Sequence, residues 1–314
     1  MKRQHTIIGA GQVGTQLARQ LSERGERVRL VRRSVPGAAI PGVTWMQGDI
    51  TDRAFADEAC RDADVVYNCT NPPDYTQWDG ILEPLYRAVW DAASRAGARL
   101  VQLDNLYMVG RPPTTPFDED TPTDPCSSKG ALREALSAEL MARHAAGDLE
   151  IAVGRASDYF GPDTPNAAVF RPDVYDRIVR GASVYILGNA DMPHSYSYTP
   201  DVAAGLATLG RHDDAPGRIW HLPVAAQLTT RELVDRFAAH AGTEVTTRAI
   251  PTWALRLVGY VFPLASALEE MVYQWEQPFI MDDRRFRETF GVSPTPLDEA
   301  IATTLGARLG ERAA

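Results

Sequence analysis

Thr6-Ile7-Ile8-Gly9-Ala10-Gly11-Gln12-Val13-Gly14 decides the fold. An apolar run of strand character ends in three glycines spaced G-x-G-x-x-G. A helical pattern follows at once through Leu17, Ala18 and Leu21. In such a strand–turn–helix, Gly9 permits the tight turn, Gly11 lets backbone approach a pyrophosphate, and Gly14 allows close packing of helix on strand. Gln12 and Val13 open the helix, whose free N–H groups and positive dipole end face the phosphates. The stretch predicts a dinucleotide site.

Outward from it, short apolar runs alternate with helical ones. Residues 27–31 form a second strand, 43–47 a third, 63–68 a fourth, 99–103 a fifth and 150–153 a sixth. Helices are expected over residues 54–59, with Thr51 as their cap, over 81–96, and from Ser127 or Ser128 to about His144. This alternation implies βαβ units and an α/β fold, a Rossmann-type doubly wound parallel sheet. Residues 111–125, rich in Pro, Thr and Asp, read as a long surface loop. Beyond residue 158 the pattern loosens, as in the cover of an active site. Helices return at 201–210 and 229–241, with a strand at 218–222. The expected organisation is a dinucleotide-binding domain at 1–165, with 195–225 returning to it. A smaller, interleaved α/β substrate portion would take 166–194 and 226–314.

Composition narrows the function classes. Forty-one acidic side chains against 32 basic ones leave a net charge of −9, which argues against nucleic acid as a partner. Cys60, Cys69 and Cys126 are widely spaced and odd in number. They point to a reducing compartment and buried thiols rather than a metal site, and the six histidines show no metal-ligand spacing. The strand at the start leaves no room for a secretory signal. Residues 253–268 are apolar but too short to span a bilayer. The expectation is a cytoplasmic protein with no membrane partner and a small-molecule substrate. Arg32-Arg33-Ser34 stands where the second strand ends, the place of an acidic residue that would hold a free ribose 2′-hydroxyl. Guanidinium groups suit a 2′-phosphate, so NADP is favoured over NAD.

The chain resembles the extended short-chain dehydrogenase/reductases of the NAD-dependent epimerase/dehydratase type. The resemblance rests on Gly9-Ala10-Gly11-Gln12-Val13-Gly14, Gly48-Asp49-Ile50, residues 155–162 (Arg-Ala-Ser-Asp-Tyr-Phe-Gly-Pro) and residues 196–203 (Tyr-Ser-Tyr-Thr-Pro-Asp-Val-Ala). It implies that Asp49 and Ile50 flank the adenine and that residues 68–71, Asn68 and Thr70 among them, line the cofactor. A homodimer through the long helices follows from the resemblance alone. The family uses a tyrosine four residues before a lysine, and a serine after the fifth strand. Here Lys129 matches the lysine, which would hold the nicotinamide ribose, but Pro125 stands four before it and carries no proton. Asp104 or Asn105 falls at the serine position, and Ile8 replaces the family's usual first glycine.

The proton therefore needs another carrier. At about 100° per residue, Leu136 and Leu140 project within about 20° of Lys129, so the lysine shares the apolar side of its helix. Its ammonium could snorkel out of that face, or remain desolvated and donate the proton itself. Tyr107, at the fifth strand's exit, and Tyr159, after the sixth, are substitute acids. Asn105 could hydrogen-bond a carbonyl. Asp104 could act as a base or fix its loop. His194 stands, by the resemblance, where nucleotide-sugar enzymes carry an arginine for the diphosphate. Met271, Tyr273, Trp275 and Phe279, with residues 253–268, are expected to wall an apolar substrate chamber. The resulting expectation is an NADP-dependent oxidoreductase acting on a small, fairly apolar carbonyl or alcohol without the tyrosine. An epimerase or dehydratase with an internally cycling cofactor, and a non-catalytic NADP-binding sensor, stay open beside it.

Overall fold

The structure, a computed structural model, describes residues 2–72, 75–253 and 263–313. Pro73, Asp74 and residues 254–262 of the apolar stretch lie outside the described residues. Contacts divide the chain into two compact units. The first comprises Met1–Asp104, Glu134–Arg155 and Val202–Leu222; the second comprises Asn105–Arg133, Ala156–Asp201 and Pro223–Ala314.

The first unit is built on a seven-stranded sheet. In chain order its elements are β1 (Gln4–Ile8), α1 (Gln12–Glu23), β2 (Arg27–Arg32), β3 (Val43–Gln47), α2 (Arg53–Cys60), β4 (Val65–Asn68), α3 (Leu82–Ala96), β5 (Arg99–Asp104), α4 (Ser128–Ala145) and β6 (Ile151–Arg155). All strand pairs are parallel. Strand β1 sits between β2 and β4, so the sequence order reverses there, which makes it the switch point where such sheets bind ligands. Strands β1 and β6 are buried at every residue, as expected of a parallel sheet covered on both faces. Helix α1 buries Val13, Leu17, Ala18 and Leu21, the three-and-four spacing of an amphipathic helix. Helix α2 is capped by Asp52, whose side chain accepts from the N–H groups of Ala54 and Phe55, and not by the expected Thr51. That residue instead donates its hydroxyl to Asp49 Oδ1 at 2.7 Å, so the aspartate two residues earlier already claims it.

The second unit carries more regular structure than its sequence pattern suggested. Residues 158–194, read as a loose cover, contain β7 (Asp158–Phe160), α5 (Pro172–Val179), β8 (Val184–Leu187) and the start of β9 (Pro193–Tyr198). The strands are only three to six residues long, too short for alternation to stand out between prolines and glycines. Then come α6 (Thr199–Leu209), β10 (Arg218–His221), β11 (Ala226–Thr229), α7 (Thr230–Ala241) and β12 (Thr247–Ile250). Strand β10 closes the first unit's sheet beside β6. In the second unit β9 lies between β7 and β11, and β8 pairs with β12. Thr229 and Glu232 form a capping box on α7, as the Thr-x-x-Glu spacing dictates. The unit's core gathers Phe160, Phe170, Tyr175, Tyr196 and Phe237.

The expected domain limits shift at one segment in particular. Residues 105–133 were expected with the dinucleotide-binding domain, yet by contact they belong to the second unit. Phe117, 1% exposed, pins the long loop there. Its N–H donates to Ile280 O at 2.9 Å, and its carbonyl accepts from Asp282 N at 2.8 Å. Its ring meets that of Phe279 edge-on at 4.9 Å. Residues 156–165, likewise expected with the first domain, lie in the second unit because β7 pairs with β9. The cysteines also divide: Cys60 is buried, but Cys126 is exposed rather than buried as expected.

Candidate functional site

The first unit presents the dinucleotide cradle at the carboxyl edge of its sheet, where Ile8 is in register with Val31 on one side and Asn68 on the other. Gly9 has φ of +106°, and a Cβ there would lie 2.7 Å from Cys69 O. A Cβ on Gly14 would lie 1.9 Å from Gly9 O. These two glycines let α1 press onto the turn. Gly11 is different: a Cβ there meets nothing within 4 Å. It is the N-cap of α1, with no side-chain cap bond, so no capping side chain satisfies the first-turn N–H groups. Gln12 Oε1 is buried without a hydrogen-bond partner among the described residues. Two glycines spent on packing, a third left open, and an uncapped helix start fit a dinucleotide phosphate.

Around this cradle the remaining residues differ in what they can offer. Arg32 is half-buried and Arg33 exposed, and neither guanidinium has a hydrogen bond or ion pair among the described residues. Asp49 is exposed; the N–H and then the hydroxyl of Thr51 hold its carboxyl below the usual carboxylate range, while Ile50 is buried. Asn68 is fully buried and already committed. Its Oδ1 accepts from Thr70 N and Thr70 Oγ1, and its Nδ2 donates to Gln102 Oε1 at 3.0 Å. Gln102 also accepts from the Trp90 indole at 3.0 Å. Asn68 thus shapes the loop whose backbone borders Gly9, a role its position alone did not reveal. Burial pushes the neighbouring Cys69 thiol up to about 12, which keeps it unreactive. Asp104, 7% exposed, ends β5 in register with Arg155, itself 4% exposed.

The second unit holds the residues considered for proton transfer. Ser127 Oγ accepts from Gly130 N at 3.0 Å, which makes Ser127 rather than Ser128 the cap of α4. Lys129 is 7% exposed, and its ammonium is ion-paired with Glu270. The same carboxylate accepts from Ser128 N at 3.1 Å and Ser128 Oγ at 3.0 Å. Lys129 therefore neither snorkels nor stands alone. Only Lys2 and Lys129 are lysines among the chain's 32 lysines and arginines. Pro125 packs against the first turn of α4: a Cβ on Gly130 would lie 3.0 Å from Pro125 Cβ and 2.5 Å from Tyr107 O. Asn105 Oδ1 accepts from Tyr107 N at 3.1 Å, and Tyr273 donates its hydroxyl to Tyr107 O at 3.3 Å. Tyr107 is half-buried and packs against the core cluster that contains Phe117 and Tyr273.

Two expectations are corrected in this unit. His194, expected by the resemblance at the position of a substrate-binding arginine, lies on β9, fully buried. Its Nδ1 faces Gln274 O at 3.2 Å; a carbonyl only accepts, so Nδ1 carries the proton. Nε2 is 2.8 Å from Asp158 Oδ2, an ion-pair distance without hydrogen-bond alignment. The ring is stacked between Trp275 and Phe279, each at 5.7 Å, so His194 is core. Tyr159 is half-buried on β7, in register with Ser197. The second correction concerns the chamber. Met271, Tyr273, Trp275 and Phe279 are all at most 7% exposed, and three of them fill a core with Val109 and Phe117. They are packing, not a wall. Glu270 went unremarked in the sequence because no spacing links it to Lys129, 141 residues away.

The family model described as NAD dependent epimerase/dehydratase family matches residues 6–222. Among curated proteins, the uncharacterized protein y4nG of Sinorhizobium fredii is 24% identical over 267 residues, covering 83% of this chain and 65% of y4nG. This chain thus spans less than two thirds of that relative. The dTDP-glucose 4,6-dehydratase of Streptomyces antibioticus is 25% identical over 207 residues, 62% of this chain and 59% of that enzyme. Among solved structures, a double mutant of the dTDP-glucose 4,6-dehydratase DesIV from Streptomyces venezuelae, with NAD bound, superposes with a TM-score of 0.78. It is 18% identical, with 99% of this chain and 98% of that one covered; at this identity the likeness concerns the fold. Among the described residues no helix is long and apolar enough to cross a membrane.

Proposed function

Because this chain belongs to the NAD-dependent epimerase/dehydratase family, we propose that it is an NADP-preferring oxidoreductase that interconverts a small carbonyl compound and its alcohol without a catalytic tyrosine. A bound nicotinamide supplies the hydride chemistry; the chain supplies binding and the proton. The supporting observation is Lys129. An arginine stays protonated under all ordinary conditions, whereas an ammonium can give up its proton. This chain uses arginine at thirty of its 32 basic positions and places a lysine in the buried first turn of α4. Pro125 removes the residue that would otherwise carry the proton, and Tyr107 is the second candidate donor. The cradle of Gly9, Gly11 and Gly14 would take the pyrophosphate, and Arg32 and Arg33, unpaired among the described residues, the 2′-phosphate.

A second reading is favoured by the names of relatives such as the dTDP-glucose 4,6-dehydratase. In it the same residues serve epimerase or dehydratase chemistry in which the cofactor is restored within each turnover. One experiment addresses both. Purified protein is incubated with NADPH and a broad carbonyl panel, and with sugar nucleotides, following NADPH absorbance and product together. NADPH consumption that disappears in Lys129→Met, with NADPH affinity retained, supports the first reading. Product formation without net NADPH change supports the second. Turnover unaffected by Lys129→Met overturns the role given to Lys129.

A further inference from the structure

We infer that Glu270 is the positioning residue for Lys129. The inference rests on the reading of Lys129 as the proton-handling group. A lysine side chain has four rotatable bonds and much rotamer freedom to lose, so a useful ammonium must be anchored. In this chain the anchor is a carboxylate from far along the sequence. Glu270 accepts from Lys129 Nζ, Ser128 N and Ser128 Oγ, which fixes the ammonium relative to the first turn of α4. Charged hydrogen bonds of this kind are the strong ones.

The residues that follow Glu270 repeat the pattern. Tyr273 donates to the carbonyl of Tyr107, and burial pushes the Tyr273 hydroxyl well up, which keeps it protonated for that bond. Gln274 O accepts from His194. Residues 270–274 therefore hold three of the positions singled out from the sequence. They lie beyond residue 222, where the match to the family model ends. Glu270 retains 26% side-chain exposure against 9% for Lys129. The carboxylate can thus meet water while the ammonium is shielded.

The test needs no substrate, so its failure and that of the proposed function are distinguishable. The full chain is treated with trace N-succinimidyl acetate, which acylates only a neutral, unengaged amine, and acetylation of Lys129 is compared with that of the exposed Lys2 by peptide mass spectrometry. Glu270→Gln is expected to raise the Lys129:Lys2 ratio at least fivefold, while Glu270→Asp, which keeps the charge, stays within twofold of the native chain. A ratio unchanged in Glu270→Gln would mean that burial alone governs Lys129, and overturns the inference. Should Glu270→Gln fail to fold, a water-soluble carbodiimide applied to the native chain reads the same contact. An isopeptide link between Lys129 and Glu270 is expected, and its absence while other carboxylates react overturns the inference as well.

Discussion

Gly11 and Gly14 stand three residues apart in one motif, yet replacing each with alanine should break different properties. At Gly14 an added Cβ would lie 1.9 Å from Gly9 O, more than 1 Å inside ordinary contact, and its neighbour is backbone rather than a side chain that can swing away. Helix α1 must lift from the turn. Overpacking of this kind costs about 1–3 kcal/mol, and more where backbone has to move; we expect about 3 kcal/mol for Gly14→Ala. At Gly11 the Cβ meets nothing within 4 Å. A weaker N-cap costs about 1 kcal/mol, and lost freedom of the unfolded chain offsets about 0.4–1 kcal/mol of that. Gly11→Ala should therefore fold with native stability to within about 1 kcal/mol. Its methyl group, however, stands where a pyrophosphate would approach the backbone. Loss of one hydrogen bond to a charged group, about 2 kcal/mol, corresponds to about a 30-fold weaker Kd. Urea denaturation followed by circular dichroism measures the first quantity, and NADPH and NADH fluorescence titration the second. If Gly11→Ala binds both nucleotides within twofold of the native chain, the cradle assignment is wrong. If Gly14→Ala is as stable as the native chain, the packing argument is wrong.

Acid sensitivity is expected from His5, which lies fully buried on β1 with Nδ1 3.1 Å from Tyr67 Oη. Burial lowers its pKa from 6.5 to about 4, so the unfolded chain takes up this proton well before the folded one does. Stability is unaffected above pH 6.5 and falls as pH drops from there toward 4. Between pH 7.5 and pH 5 the loss amounts to about 2 kcal/mol. His5→Gln should remove that part of the pH dependence in parallel urea titrations, and equal acid losses in the two proteins would refute it. Arg32→Ser combined with Arg33→Ser should weaken NADPH binding at least tenfold while changing NADH binding less than threefold. Equal effects on both nucleotides would place the arginines elsewhere than at a 2′-phosphate.

The first unit was legible in the sequence because its signals are local. A parallel strand covered on both faces is a continuous apolar run, and a glycine triplet between strand and helix has one physical reading. From Gln4 to Arg155 the strands were located to within about two residues. The second unit was less legible. Its strands are short, and its sheets are made by residues far apart, as when β7 pairs with β9 and Phe117 with residues 280–282. The aromatic run at 271–279 read equally as a chamber or a core, since composition does not say whether apolar side chains face each other or a cavity.

The candidate site divides the same way. The glycines, Arg32, Arg33 and the absence of a tyrosine before Lys129 were determined by the sequence, because each is a matter of residue type at fixed spacing. Only the tertiary structure decided what those residues touch: that Asn68 is spent on Thr70 and Gln102, that His194 is stacked in a core, and that Lys129 is met by Glu270. Hydrogen bonds and ion pairs act over a few ångströms of space. No periodicity in the chain encodes a contact across 141 residues, so the anchor of Lys129 came into view only when the chain was folded.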